Sequence, residues 1–225
     1  MSNPDSPTVL FDVDGTLVDS NYHHAIAWFQ AFQRYDVTVP VWRIHRAIGM
    51  GGDRLVARVA GDDVENRLGD EVRAAWKERY EPMLPEVRGF AGAHDLVAAA
   101  AGRGWRVALA SSGDPAHVEH YLDLLDLRAL ADAWTSAGDV SDTKPAPDLL
   151  EVALRRAGGG PAVLIGDSVW DCESAERAGL PCVGLLTGGF GEFELRDAGA
   201  VAVYEDLPDL RAALDDLPFR VAARS

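Results

Sequence analysis

Asp12 and Asp14 stand two residues apart in Phe11-Asp12-Val13-Asp14-Gly15-Thr16, at the end of a short apolar run. Gly15 permits a turn there, so both carboxylates can face one cavity. A second acidic pair, Asp167 and Asp171, follows another apolar run, with Asp171 placed to fall in the first turn of a helix. Acids gathered at neighbouring strand ends repel one another, and a hard divalent cation relieves that repulsion. Oxygen-only ligands with retained waters suit Mg²⁺. Ser111-Ser112-Gly113 follows a third run and precedes a helix start near Pro115, offering hydroxyls and helix N–H groups to an anion. Lys144, one of only two lysines, lies in Thr143-Lys144-Pro145-Ala146-Pro147, where the prolines stiffen it ahead of a helix. A fixed ammonium, small hydroxyls and helix N–H groups can bind phosphate together. With carboxylates and Mg²⁺ beside them, they suit phosphoryl transfer to an aspartate, its rate set by positioning and charge stabilisation.

The elements that must position these groups alternate along the chain. Apolar runs at residues 8–11, 105–110, 162–166, 181–186 and 200–204 have strand length and no period-two polarity, as strands buried on both faces do. Helical patterns at 91–103, 116–125, 147–157, 169–178 and 207–214 lie between or after them. Strand and helix alternating in this way predict an α/β fold, a Rossmann-like parallel sheet with helices on both faces. Residues 20–86 break the rhythm: they hold no convincing strand, and 25–35, 42–47 and 64–80 read as amphipathic helices. A small all-α insertion after strand 1 would sit at the carboxyl edge of the sheet, where open α/β folds bind ligands. The expected division is a core of residues 1–19 and 87–225 and a helical cap of 20–86, with hinges near 17–21 and 82–89.

Length and composition bound the rest. The chain has 225 residues, 48% of them hydrophobic and 25% charged, which excludes a disordered chain. No charge-free stretch reaches the roughly 20 residues of a membrane span. The first seven residues lack the basic start of a secretory signal, so a cytoplasmic protein is expected. The formal net charge of −15 argues against nucleic acid or an anionic membrane as partner. It also leaves few cations to hold an anionic substrate. Cys172 and Cys182 make neither a disulfide framework nor a zinc cluster and read as two buried free thiols.

Asp12-Val13-Asp14-Gly15-Thr16, Ser111, Lys144 and Gly166-Asp167-Ser168 with Asp171 resemble, in order, the four motifs of the haloacid dehalogenase superfamily. The helical insertion is similar to the C1 cap of its phosphoglycolate phosphatase and β-phosphoglucomutase branch. The resemblance implies a Mg²⁺-dependent phosphatase acting on a small phosphomonoester, phosphoglycolate-like or sugar-phosphate-like. It implies Asp12 as the nucleophile that forms an aspartyl-phosphate, and Asp14 as the acid and base whose carbonyl oxygen also binds Mg²⁺. Ser111, Ser112 and Lys144 would hold the phosphoryl oxygens. Asp12 and Asp167 would bind the metal directly, and Asp171 would bind it through water or orient its shell. A monomer acting on a small phosphorylated metabolite is expected.

Several readings stay open on the sequence. Asp171 could simply be an acid on a helix dipole, and Ser112 a neighbour contributing only backbone. His24, with Trp28, matches the spacing of a hinge histidine in phosphoglucomutase-like members, yet a lone helix histidine is often structural. Gly49-Met50-Gly51-Gly52-Asp53-Arg54 reads either as a helix–helix turn or as a specificity loop from which Arg54 or Arg46 reaches the substrate. Arg67, Arg73, Lys77 and Arg79 read as a solvated helix face. The alternatives to a phosphatase are a sugar-phosphate mutase and a non-catalytic phosphate-binding module. The mutase would want a cap arginine where Gly51 stands, and the module would have lost Asp12, Asp14 or Lys144.

Overall fold

The computed structural model describes residues 6–221. The ends of the expected core, 1–5 and 222–225, and most of the segment read for a secretory signal lie outside the described residues. β1 (Thr8–Phe11) is buried along its length. The chain then forms α1 (Asn21–Arg34), α2 (Val41–His45), α3 (Gly52–Ala60) and α4 (Asp62–Tyr80), a 3₁₀ segment (Glu81–Glu86) and α5 (Ala93–Gly102). Strand and helix alternate from there: β2 (Arg106–Ala110), α6 (Pro115–Leu124), β3 (Ala133–Thr135), α7 (Asp148–Arg156), β4 (Pro161–Gly166) and α8 (Val169–Arg177). β5 (Cys182–Leu185), α9 (Glu192–Asp197), β6 (Ala200–Tyr204), α10 (Leu207–Ala212) and β7 (Arg220–Val221) complete the order.

Six strands run parallel in the order β3-β2-β1-β4-β5-β6, and β7 lies antiparallel against the start of β4. This is the doubly wound Rossmann-like arrangement expected. Strand order reverses between β1 and β4, where Phe11 stands opposite Ile165 and Asp12 N donates to Ile165 O at 2.9 Å. The ligand crevice of such a sheet opens at that reversal, beyond the carboxyl ends of the strands. Leu10, Phe11, Leu164 and Ile165 are fully buried beneath it. Each such side chain contributes about 1.5–3 kcal/mol, so an apolar floor holds the charged groups above it in register.

Helices α1–α4 enclose their own apolar cluster, with Trp28, Phe32, Ile44, Leu55, Val56 and Val72 buried in it. The two segments joining them to the sheet pair with each other: Val18 bridges Gly89, Asp19 N donates to Arg88 O at 2.9 Å, and Phe90 N donates to Leu17 O at 3.0 Å. Three elements depart from the sequence reading. β3 has only three residues, too few to register as an apolar run. α9 is a six-residue, mostly polar helix. The glycine-dense segment continues into the nine-residue α3, because Gly51 stays extended and helix begins at Gly52. Cys172 and Cys182 are free and buried, as expected.

Candidate active site

Strand β1 delivers Asp12 to the crevice, and β4 delivers Asp167 beside it. Asp171 arrives from the first turn of α8. One carboxylate oxygen from each of the three lies within 4.8 Å of the others, and all three residues are buried. Burial raises the pKa of Asp12 to about 7, with Lys144 opposing and Asp171 and Asp14 adding to the rise. Burial, then the charges of Asp12 and Asp171, also lift Asp167 well above the ordinary carboxylate range. Three buried acids gathered this closely form the hard-oxygen donor set a divalent cation would satisfy. The residues present fit Mg²⁺.

The position of Asp167 is fixed from both sides. Thr16 Oγ1 donates to its Oδ1 at 2.8 Å, and Asn21 Nδ2 donates to its Oδ2 at 2.9 Å. Gly15 takes φ +82°, and a Cβ there would collide with Asn21 and Asp167. A Cβ on Gly188 would likewise run into the Asp167 carboxylate. Neither Asn21 nor Gly188 was among the expected site residues. Asn21 is the first residue of α1 and lies far from motif four in sequence, so only the tertiary fold brings the two together.

Lys144 is fully buried and donates to Asp12, and its Nζ lies 2.7 Å from Asp171 Oδ1. Burial works against its charge, but the two carboxylates outweigh burial and hold its pKa above that of an ordinary lysine. Asp171 Oδ2 accepts from Ser168 N at 3.1 Å and Ser168 Oγ at 2.5 Å, a capping box on α8. Asp171 thus joins the helix cap, the acidic triad and the lysine. Ser112 Oγ accepts from Lys144 N at 3.4 Å, so this hydroxyl holds the lysine's own segment.

Asp14 stands outside the triad. Its Oδ1 accepts from Ser20 Oγ at 2.6 Å and lies 3.0 Å from His24 Nε2; its Oδ2 accepts from Ser111 Oγ at 3.4 Å. Burial opposes its charge, but the His24 and Ser20 hydrogen bonds hold its pKa below the ordinary value. His24 stacks on Tyr80 at 3.9 Å between ring centroids, and Tyr80 hydrogen-bonds Tyr121.

A cleft of about 300 Å³ rises from Asp12 and Asp14 between the sheet edge and the helical insertion. Trp28, Trp76, Ile48 and Met50 line it, together with Gly49, Gly52 and Asp53 of the glycine-dense segment. That segment is both a turn and a wall: Gly51 N donates to Thr143 Oγ1 at 3.0 Å, and Thr143 Oγ1 donates to Asp53 at 2.5 Å. Arg46 and Arg54, which the sequence offered as substrate contacts, are instead engaged by Glu194 and Asp142 of the core. Arg73, read from sequence on a solvated face, lines the cleft. Its fork is filled by Glu65, at 3.0 and 2.8 Å.

Residues 7–179 match the haloacid dehalogenase-like hydrolase family. The chain belongs to that family. This haloacid dehalogenase-like hydrolase is 30% identical over 235 residues to phosphoglycolate phosphatase of Escherichia coli K12, a match covering 92% of this chain and 91% of the relative. It is 32% identical to the crystal structure of a hydrolase from Pseudomonas syringae, with a TM-score of 0.88 over 94% of this chain and 99% of that one. It is also 30% identical over 211 residues to SUPPRESSOR OF QUENCHING 1, chloroplastic, of Arabidopsis thaliana, but spans only 20% of that protein's length. The hydrolase is a phosphatase. Among the described residues, no helix is long and apolar enough to cross a membrane.

Proposed function

We propose that the protein hydrolyses a small phosphomonoester, phosphoglycolate-like or sugar-phosphate-like, through an aspartyl-phosphate on Asp12. The observation that carries this reading is the placement of Asp12: bonded to Lys144, within the acidic triad, and at the floor of a cleft whose other wall presents Asp14. A carboxylate oxygen of Asp12 attacks phosphorus as the bond to the leaving oxygen breaks, and Asp14, protonated as the charge of the bound phosphoryl group offsets its His24 and Ser20 hydrogen bonds, gives that proton to the oxygen. Water then attacks the phosphorus of the aspartyl-phosphate. Asp14 takes the water's proton, inorganic phosphate departs, and the Asp12 carboxylate is restored. Lys144 and Ser111, with the Ser112 backbone, hold the phosphoryl oxygens through transfer. Asp12, Asp167, Asp171 and the main-chain oxygen of Asp14 would hold Mg²⁺, which supplies neutralisation of the phosphoryl charge. His24 is a positioning residue that fixes the Asp14 carboxylate.

In this reading residues 20–86 cap a core of residues 1–19 and 87–225 and exclude water from the crevice during turnover. The protein works as a monomer in the cytoplasm on a soluble metabolite, without nucleic acid or a membrane. Nothing favours the mutase alternative. Gly51 supplies no cation, and Arg54 is committed to Asp142, so the grip needed to retain a bisphosphate is not assembled. The test is phosphate release from p-nitrophenyl phosphate and a panel of small phosphomonoesters, with Mg²⁺ and with EDTA. Release that requires Mg²⁺ and vanishes in Asp12→Asn is expected. Folded protein that releases nothing from any ester overturns the reading.

A further inference from the structure

The cleft above Asp12 is unusual in how its charges are settled. Arg73 is the one arginine that lines it. Both arms of the Arg73 fork are taken by Glu65, a second acid, Asp70, lies at 2.9 Å, and Gly52 O accepts at 3.2 Å. Lys77, on the same helix, is paired with Asp114 at 2.7 Å. The outer part of the cleft therefore presents Asp53 and Asp114 but, among the described residues, no cation without an acid partner. What it does present is ring surface. Trp28 and Trp76 stack on one another at 5.1 Å with 15° between their planes, and both line the cleft with Ile48 and Met50.

Resting on the phosphatase reading, we infer that the alcohol half of the substrate is an uncharged ring held against Trp28 and Trp76, and that the cleft discriminates against esters carrying a second anionic group. A carboxylate or second phosphate at that depth would meet Asp53, whose neighbour Arg54 is shared with Asp142, and Arg73, outnumbered by Glu65 and Asp70, while the Lys77–Asp114 pair adds no net positive charge. Like-charge juxtaposition of this kind is a means of rejecting wrong partners. A cyclic polyol or aryl group presents C–H or π faces to the indoles, and its hydroxyls need no ion pair. Trp76 sets ring preference, and Glu65, by occupying Arg73, sets charge preference.

The experiment compares kcat/KM for glucose 6-phosphate, glycerol 3-phosphate, phosphoglycolate and fructose 1,6-bisphosphate in the wild-type protein. The ring monoester should exceed phosphoglycolate and the bisphosphate by about tenfold or more, the scale of several like-charge contacts. Trp76→Ala should raise KM for glucose 6-phosphate by about three- to tenfold, the range of one aromatic contact, beyond any change it causes for glycerol 3-phosphate, and this selective loss should be rescued by Trp76→Phe. Glu65→Gln, which frees one side of the Arg73 fork, should narrow the gap by raising kcat/KM for phosphoglycolate. Calorimetric binding of the same four compounds to Asp12→Asn with Mg²⁺ reads the preference independently of turnover. Preference for phosphoglycolate or the bisphosphate, or an unchanged ratio in Glu65→Gln, overturns the inference while leaving the phosphatase reading intact. Absence of phosphate release from every ester overturns the phosphatase reading instead.

Discussion

Asp171 Oδ1 lies 2.7 Å from Lys144 Nζ while Oδ2 of the same carboxylate caps α8 through Ser168. One side chain thereby ties the start of a helix to Lys144, the cation that contacts the proposed nucleophile. Asp171→Asn keeps an acceptor for Ser168 and removes the charge that aims Lys144. We expect kcat to fall by about a hundredfold, the effect of small misplacement at a reacting centre, with the protein still folded by circular dichroism. Unchanged kcat would make Asp171 a helix cap and nothing more.

Asn21 and Thr16 hold the two oxygens of Asp167. Residues that orient a metal ligand typically affect metal affinity about ten- to hundredfold. Asn21→Ala should therefore raise the Mg²⁺ concentration that half-saturates activity by that factor. An unaltered Mg²⁺ titration would assign Asn21 to packing alone.

Gly188 leaves no room for a Cβ beside the Asp167 carboxylate. Gly188→Ala should displace that carboxylate and abolish most activity, while overpacking costs about 1–3 kcal/mol of stability. Gly102, where a Cβ meets nothing, is the control: Gly102→Ala should leave turnover at the wild-type level. Full activity in Gly188→Ala would show that the close approach is not maintained in solution.

His117 is buried, and burial holds its pKa below the 6.5 of an ordinary histidine. The unfolded chain then binds a proton at this site more readily than the folded one as pH falls through 6.5, so stability is lost on acidification. In His117→Gln that contribution is absent. The difference in Tm between wild type and variant should shrink from pH 7 towards pH 5. A constant difference across that range would mean His117 does not titrate as its burial requires.

The strands were readable where a run of apolar residues ended in a small or acidic one: Phe11 before Asp12, Ala110 before Ser111, Gly166 before Asp167. Such runs carry both the strand and the group it delivers, so Asp12, Ser111 and Asp167 could be placed together from the chain alone. Ala133–Thr135 is three residues long and depends on its neighbour β2 for existence, which no local pattern reveals. Arginine partners were equally hidden. Arg73 looked solvated because its helix is rich in charge, yet it lines the cleft and Glu65 fills its fork. Arg46 and Arg54 looked available because Glu194 and Asp142 are remote in sequence. Local periodicity specifies elements, whereas which charge meets which acid is decided only when the elements are assembled.

The amide of Asn21 belongs to the helical insertion but grips an acid on the sheet. The lid is therefore not a detachable module. A chimera that transplanted the proposed cap, residues 20–86, from a paralogue with another amino acid at this position would exchange part of the proposed metal cradle together with the proposed specificity wall. Retargeting the enzyme calls for grafts that begin beyond the first turn of α1, leaving Ser20, Asn21 and His24 as native anchors while Trp28, Trp76 and α3 are redrawn.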